Sequence, residues 1–367
     1  MDHTILLNRL KSKFGICGNV LAWFQSYLSN RTQFVSLDAA SSESVELDCG
    51  VPQGSVLGPI LYLLYTSPIA DILRHNNMSY HLYADDTQLY LPFLCNDDQD
   101  MDLSMMKIET CLAEIDAWMS INKLKLNKDK TELLFLYSKH SPQNLLPDLH
   151  FGNEMISPSK SARNIGVIFD STMSMEPQVN SICKSAFYHL RNITKIRKFM
   201  SLQTTELVVH AFVTSKIDSF NSLLIGLPSQ LLSKLQSVQN AAARLITCSR
   251  KHCHITPVLF QLHWLPVAER IKFKILLITY KSLNNLAPSY ICDMISRYRP
   301  SRNLRSSSEV LLNRGEYRLK SYGGRSFSAC APELWNSLPS SIRSAASLSS
   351  FKSSLKTYLF KSAFNLN

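Results

Sequence analysis

From residue 5 to residue 28 apolar side chains recur every three or four positions. Leu6, Leu7, Leu10 and Phe14 come first, then Val20, Leu21, Phe24, Tyr27 and Leu28. That spacing is the stripe of a helix burying one face, and Gly15 and Gly18 interrupt it, so two helices are predicted. The period then drops to two. Residues 32–37 and 44–47 alternate around the turn-like stretch 38–42, the pattern of a hairpin. A loop marked by Gly50, Pro52 and Gly54 leads into an apolar run, and a helix is predicted from about 57 to 73. The run's uninterrupted part, residues 56–65, is too short to cross a bilayer and reads as a buried helix. Two short strand patterns follow, 79–83 and 87–91, joined through Ala84-Asp85-Asp86.

Between residues 100 and 122, Met106, Ile108, Cys111, Leu112, Ile115, Trp118, Met119 and Ile121 mark an amphipathic helix suited to lie on a sheet. A polar turn at 124–130 precedes a strand pattern at 131–137, and another strand is predicted at 161–168. Strands with helices between them make this part an α+β arrangement. From residue 176 the period is helical, with helices predicted near 176–199, 203–218, 229–247 and 266–284. The Ser- and Arg-rich stretch 300–308 reads as an exposed connector. At the end, Phe351, Leu355, Leu359 and Phe360 form a helical stripe, best read as ordinary core packing.

Charge sharpens this division. Residues 1–150 carry 11 Lys and Arg against 18 Asp and Glu, net −7, whereas residues 151–367 carry 28 against 10, net +18. A basic second half suits a polyanion, with nucleic acid the leading candidate and an anionic membrane surface the second. The nine cysteines lack regular spacing and read as reduced, intracellular thiols. The polar start of the chain (Asp2, His3, Asn8, Lys11) is unlike a signal peptide, and no import signal stands out, leaving nucleus and cytoplasm equally open.

The candidate chemistry begins with Asp85 and Asp86. Adjacent carboxylates repel unless a cation lies between them, and a turn can re-aim both toward one hard divalent ion such as Mg²⁺. A bare Asp pair in a turn is more often simply solvated. Two further features stand in order around it. The Gly50–Ser55 loop offers Gln53 and Gly54 for close approach to a nucleotide and its template base, and Lys130 is placed to stabilise a pyrophosphate leaving group. Each has a plain alternative: Gln53 caps the helix, Gly54 shapes a turn, and Lys130 is one of four lysines on a solvated turn.

Taken together the motifs become recognisable. Gly50-Val51-Pro52-Gln53-Gly54-Ser55-Val56-Leu57-Gly58-Pro59 resembles the B motif of non-LTR retrotransposon reverse transcriptases. Tyr83-Ala84-Asp85-Asp86 resembles their C motif, and Leu124-Lys125-Leu126-Asn127-Lys128-Asp129-Lys130-Thr131-Glu132 their D motif. Asn164-Ile165-Gly166-Val167 is similar to the strand motif with which the family grips the primer. Ile255-Thr256-Pro257-Val258, Leu262-His263-Trp264-Leu265-Pro266 and Leu334-Trp335-Asn336-Ser337-Leu338-Pro339 resemble the tail of jockey- and Rex-type animal elements.

The resemblance implies a partial right-hand polymerase palm over residues 1–172, a helical thumb over 173–250 and a basic, nucleic-acid-binding helical region over 251–367. The partners it implies are an RNA template, a DNA primer and deoxynucleoside triphosphates, with no membrane. By carry-over Asp85 and Asp86 hold the metal, two Mg²⁺ in the intact parent. Gln53 and Gly54 line the nucleotide and template pocket, Lys130 faces the leaving group, and Ile165 and Gly166 grip the primer. Arg191, Lys195, Arg197 and Lys198 are the thumb's phosphate contacts, or else a solvated helix face.

The family's third metal-binding aspartate lies on an upstream strand motif whose end aligns with Met1-Asp2-His3, so it falls before residue 1, and Asp2 does not replace it by position. The fingers and the upstream endonuclease are likewise expected to be missing, as in a 5′-truncated copy or partial gene model. Surfaces those parts cover would then lie exposed. Two expectations follow: a polymerase fragment that does not polymerise alone, or a non-catalytic nucleic-acid-binding remnant. Cys248, Cys253, His254 and His263 are candidate zinc ligands, but their spacing matches no common finger.

Overall fold

The computed structural model describes residues 1–38, 40–52, 54–94, 97–138, 146–299 and 310–366. Gln53 and the connector expected at 300–308 therefore lie outside the described residues. The chain divides into two compact units, Met1–Ile165 and Gly166–Asn367.

The first unit mixes helix and short strands. Helices α1 (His3–Ser12) and α2 (Gly18–Leu28) flank the break foreseen at Gly15 and Gly18, both at positive φ. Leu6 and Leu10 of α1, Leu28 of α2, and Leu61 and Tyr65 of a third helix share one core. Strands β1 (Thr32–Gln33) and β2 (Ser36–Leu37) pair antiparallel with β4 (Val45–Glu46) and β3 (Ala40–Ser41), respectively. The long helix predicted at 57–73 is two, α3 (Gly58–Thr66) and α4 (Ile69–His75), because Pro68 cannot donate to the ladder and stands as the N-cap of the second. Leu61 and Tyr65 are buried, while Ile60 and Leu63 of α3, and Val56 just before it, are exposed.

Strands β5 (Ser79–Tyr83) and β6 (Asp86–Tyr90) form a hairpin, and α5 (Asp98–Ile121) lies beside it. Cys111, Ile115 and Met119 of α5 pack toward Tyr80, Leu89 and Leu91. Met105 and Leu112 pack instead against Leu149 and Phe151, in the region of the hairpin β7 (Leu149–Phe151) and β8 (Glu154–Ile156). The helix thus bridges two separate ladders rather than covering one sheet.

The strand predicted at 131–137 pairs only through an isolated parallel bridge, Leu133 with Pro158, where Ser159 N donates to Leu133 O at 2.8 Å. Pro158 has no N–H to extend that ladder, and Phe135 is held by burial instead. The strand predicted at 161–168 is also broken. β9 (Ser161–Asn164) ends at Ile165 (φ 47°) and Gly166 (φ 81°), and β10 (Val167–Asp170) begins the second unit.

The second unit is otherwise helical: α6 (Glu176–Ile196), α7 (Leu202–Val209), α8 (Ser215–Asp218), α9 (Ser229–Thr247), α10 (Ile255–Gln261), α11 (Val267–Leu283), α12 (Ser289–Cys292), α13 (Phe327–Asn336), α14 (Ser340–Arg343) and α15 (Leu348–Ala363). Val179, Ile182, Ala186 and Leu190 of α6 meet Leu235, Val238 and Ala242 of α9 in its larger core. Asp170 holds the turn that leads into α6: its carboxylate accepts from Thr172 Oγ1 (2.8 Å), Ser174 N (3.0 Å) and Met175 N (2.7 Å). Burial pushes Asp170 up, but those hydrogen bonds outweigh it and hold the carboxyl below its ordinary value.

The tail motifs are architectural. Trp264 is buried beyond His263, which takes the left-handed conformation that ends α10. Trp335 donates to Val310 O at 2.7 Å, and Tyr280 of α11 stacks on Phe351 of α15 with ring centroids 4.3 Å apart. The C-terminal stripe is core, as its spacing indicated: Phe351, Leu355 and Leu359 are all buried.

Candidate functional site

The β5–β6 register pairs Leu82 with Thr87 and Tyr83 with Asp86, which leaves Ala84 and Asp85 as a two-residue turn. Such a turn follows the strands' twist when its first central residue has positive φ, and Ala84 has φ 52°. A side chain in that region costs about 1–2 kcal/mol, which glycine would avoid. Asp86 therefore opens β6 while Asp85 sits at the tip, so the two carboxylates are not tied to the strict alternation of a strand. Both are exposed, and neither has a hydrogen bond or ion pair among the described residues. Tyr62 of α3 feels this tip: burial first, then the charge of Asp85, pushes its phenol up, so it stays a neutral hydroxyl.

Around the hairpin the structure joins several of the sequence motifs. Asn164, the last residue of β9, donates to Gln88 Oε1 of β6 at 2.7 Å. Arg163 N of the same strand donates to Glu132 Oε2 at 3.2 Å. The Asp pair, the segment after Lys130 and the strand leading into Ile165 are thus held together, and Tyr62 of α3 is near enough to feel the charge of Asp85. Sequence reading missed Tyr62 and Gln88, and included Asn164 only as the first residue of the Asn164–Val167 motif. The polar contact between Gln88 and Asn164 spans 76 residues and leaves no local signal.

The loop before α3 is tied down at both ends. Gly50 N donates to Met1 O at 2.7 Å, and His3 Nε2 lies 2.7 Å from Gly50 O. Ser55 Oγ accepts from Gly58 N at 3.1 Å, so Ser55 provides the helix-start contact allowed for Gln53. Gly54 has φ 80° with open space where a Cβ would stand, so its dihedral and not crowding calls for glycine.

Lys130 closes a single 3-10 turn, Lys128–Lys130, and is exposed. Its neighbours are distinguishable. Lys123 pairs with Asp2 (2.6 Å), whereas Lys128 lies over the Phe151 ring (4.6 Å) and 3.8 Å from Asp116. Lys130 forms no ion pair among the described residues. Asp2 is a structural acid: it caps α1 through Ile5 N (2.9 Å), and the Lys123 hydrogen bond leads the causes that hold it below the usual carboxylate range.

In the second unit Arg191, Lys195 and Lys198 are exposed, Lys198 lying over Phe199 at 4.8 Å. Arg197 departs from the phosphate-contact expectation. Its guanidinium donates to Met200 O (2.8 Å), Ile246 O (3.0 Å) and Leu245 O (3.2 Å), so it caps the last turn of α9. Cys248, Cys253, His254 and His263 do not gather: among the described residues no three His, Cys, Asp or Glu could hold a metal ion together. Asp85 and Asp86 supply hard oxygen donors free of protein cations. Carboxylate oxygens of that kind suit a hard divalent ion such as Mg²⁺.

Residues 1–169 match the family model described as reverse transcriptase (RNA-dependent DNA polymerase). This part of the chain is a reverse transcriptase domain. The chain is 24% identical over 248 residues to a probable RNA-directed DNA polymerase from transposon X-element of Drosophila melanogaster, covering 65% of this chain and 26% of that protein. It is 27% identical over 261 residues to a probable RNA-directed DNA polymerase from transposon BS of the same organism, covering 67% and 27%. With the RNA-directed DNA polymerase from mobile element jockey the identity is 22% over 164 residues, 43% of this chain and 17% of that protein. The chain thus spans about a quarter of the length of the first two relatives. No solved structure matches it. No helix among its described residues is long and apolar enough to cross a membrane.

Proposed function

We propose that this chain is a piece of an RNA-directed DNA polymerase of a non-LTR retrotransposon, with the first unit as palm and the helices that follow it as thumb and basic C-terminal region. The observation that carries the reading is the Ala84-Asp85 turn. It is a strained tip bearing two exposed carboxylates without protein partners, fixed through Gln88 and Asn164 to the strand that leads into Ile165.

In this reading Asp85 and Asp86 would hold Mg²⁺, which when bound neutralises charge on the phosphates and on the attacking and leaving oxygens. The Gly54 backbone, with Gln53, lies against the nucleotide and its template base. Lys130, exposed beside an anchored Lys128, faces the departing pyrophosphate. Ile165 and Gly166 position the primer terminus, and Arg191, Lys195 and Lys198 contact phosphates of the template–primer. Tyr62, kept neutral, can donate a hydrogen bond near Asp85 without adding charge. Two carboxylates from one hairpin are a small ligand set for two metal ions, and the transfer step by this polypeptide alone is expected to be slow.

The test places the 79–90 hairpin in the polymerase of the jockey element and follows primer extension on an RNA homopolymer with Mg²⁺. The chimera should extend, and Asp85→Ala or Asp86→Ala within it should abolish extension. Equal extension with and without the two carboxylates overturns the assignment. In parallel, the 367-residue chain should bind template–primer in a salt-sensitive manner.

A further inference from the structure

Between residues 177 and 205 the chain holds five Lys and Arg and no carboxylate. On α6 the buried positions face the core of the second unit, so Lys184, Tyr188, Arg191 and Lys195 fall on one exposed face at spacings of four, three and four. Tyr188 is 60% exposed and meets His189 edge-to-face at 5.4 Å. His189 in turn stacks on Phe212 (5.3 Å, 29° between planes), and Phe212 is itself 50% exposed. Phe212 lies in a π-helical turn, His210–Thr214, that interrupts the run between α7 and α8, a distortion that recurs at functional sites. The nearest acid after this stretch, Glu206, lies 3.5 Å from His210.

Two exposed rings bridged by a half-buried histidine, among cations and with no carboxylate in residues 177–205, are a poor surface for a free protein. They are a good one for a polyanion with flat apolar faces. We propose that Tyr188, His189 and Phe212 form a stacking platform for unpaired bases of a single-stranded nucleic acid, with Lys184, Arg191 and Lys195 on its phosphates. Charge complementarity selects the polyanion; the exposed rings select the single strand, because bases inside a duplex present no free face to them. The proposal deepens the reading above by assigning this surface to the unpaired stretch of the template rather than to the duplex. It does not depend on the chemistry at Asp85.

The test uses the 367-residue chain, a labelled oligo(U) probe, a blunt duplex of mixed sequence and phosphatidylserine vesicles. Tyr188→Leu with Phe212→Leu keeps the apolar bulk and removes the rings, and circular dichroism checks that the helices persist. We expect oligo(U) affinity to fall about tenfold with the slope of log K against log salt unchanged, and duplex affinity to be unaltered. Lys184→Ala with Arg191→Ala should instead flatten that slope by about 1.4, the loss of two phosphate contacts on a single strand. The proposal is overturned if the leucine variant binds oligo(U) like the parent, if it loses duplex affinity equally, or if the parent prefers vesicles to oligo(U). Any of these leaves the chimera test untouched, so the two readings fail separately.

Discussion

Replacing Arg197 by methionine separates two roles that a basic residue near a helix end can play. Its three hydrogen bonds run to the carbonyls of Met200, Leu245 and Ile246. A hydrogen bond involving a charged group contributes about 1.5–3 kcal/mol when buried. Arg197 is only half-buried, so water can replace part of each, and about 2–3 kcal/mol for the set is the reasonable size, including about 0.3–1 kcal/mol from its charge at the C-terminal end of α9. Native-state hydrogen exchange over Ser229–Thr247 reads this directly. Protection of the last turn of α9 should drop by roughly 30- to 140-fold, since about 1.4 kcal/mol is tenfold. The salt slope of RNA binding should stay where it is. A phosphate contact would behave in the opposite way, with the slope falling by about 0.7–0.9 and protection unchanged, and that outcome would refute the capping role. Arg191→Met is the control, expected to move the slope and leave α9 protected.

Three further outcomes can be checked. Mn²⁺ titrated into the chain and followed by electron paramagnetic resonance should bind weakly, and Asp85→Asn with Asp86→Asn should remove that binding, whereas Asp2→Asn should not. Among the thiols, Cys17, Cys49, Cys248 and Cys253 are exposed and should react first with iodoacetamide near pH 8. Burial pushes Cys111 and Cys330 up to about 11, so mass spectrometry should find both unlabelled until denaturant is added. Because Asp170 is held below its unfolded value of 3.8, its contribution is complete above that pH and disappears as pH falls through the lower, folded value. Acid unfolding of the second unit should therefore show a steep loss below about pH 4, which Asp170→Asn flattens.

Much of the helical second unit was readable from periodicity because the stripes are long. The predicted 229–247 and 266–284 meet Ser229–Thr247 and Val267–Leu283 almost end to end. Short elements were less legible. The strand expected at 131–137 has a suitable apolar pattern, yet whether it pairs depends on Pro158, more than 20 residues away. Ile165 is β-branched, which favours a continuing strand, and tertiary context places it at φ 47° instead. At the candidate site the acids, Gly54 and Lys130 stand out as residue types in order. What could not be read was occupancy: Lys128 and Arg197 look as available as Lys130 and Arg191 in sequence, and only packing reveals that the first two are already engaged.

The 3-10 turn at Lys128–Lys130 has a consequence for how this site can decay. Lys128 reaches away from the acids to Phe151, and a Cβ on Gly152 would stand 3.0 Å from its ammonium. A side chain at Gly152 would be strained by its φ of 63° and would make the Lys128 ammonium give way by a few tenths of an ångström. One substitution at Gly152, 22 positions downstream of Lys130, would thus disturb the anchor on Lys128 while leaving every motif letter intact. Judging such a variant requires reading the anchors as well as the motifs.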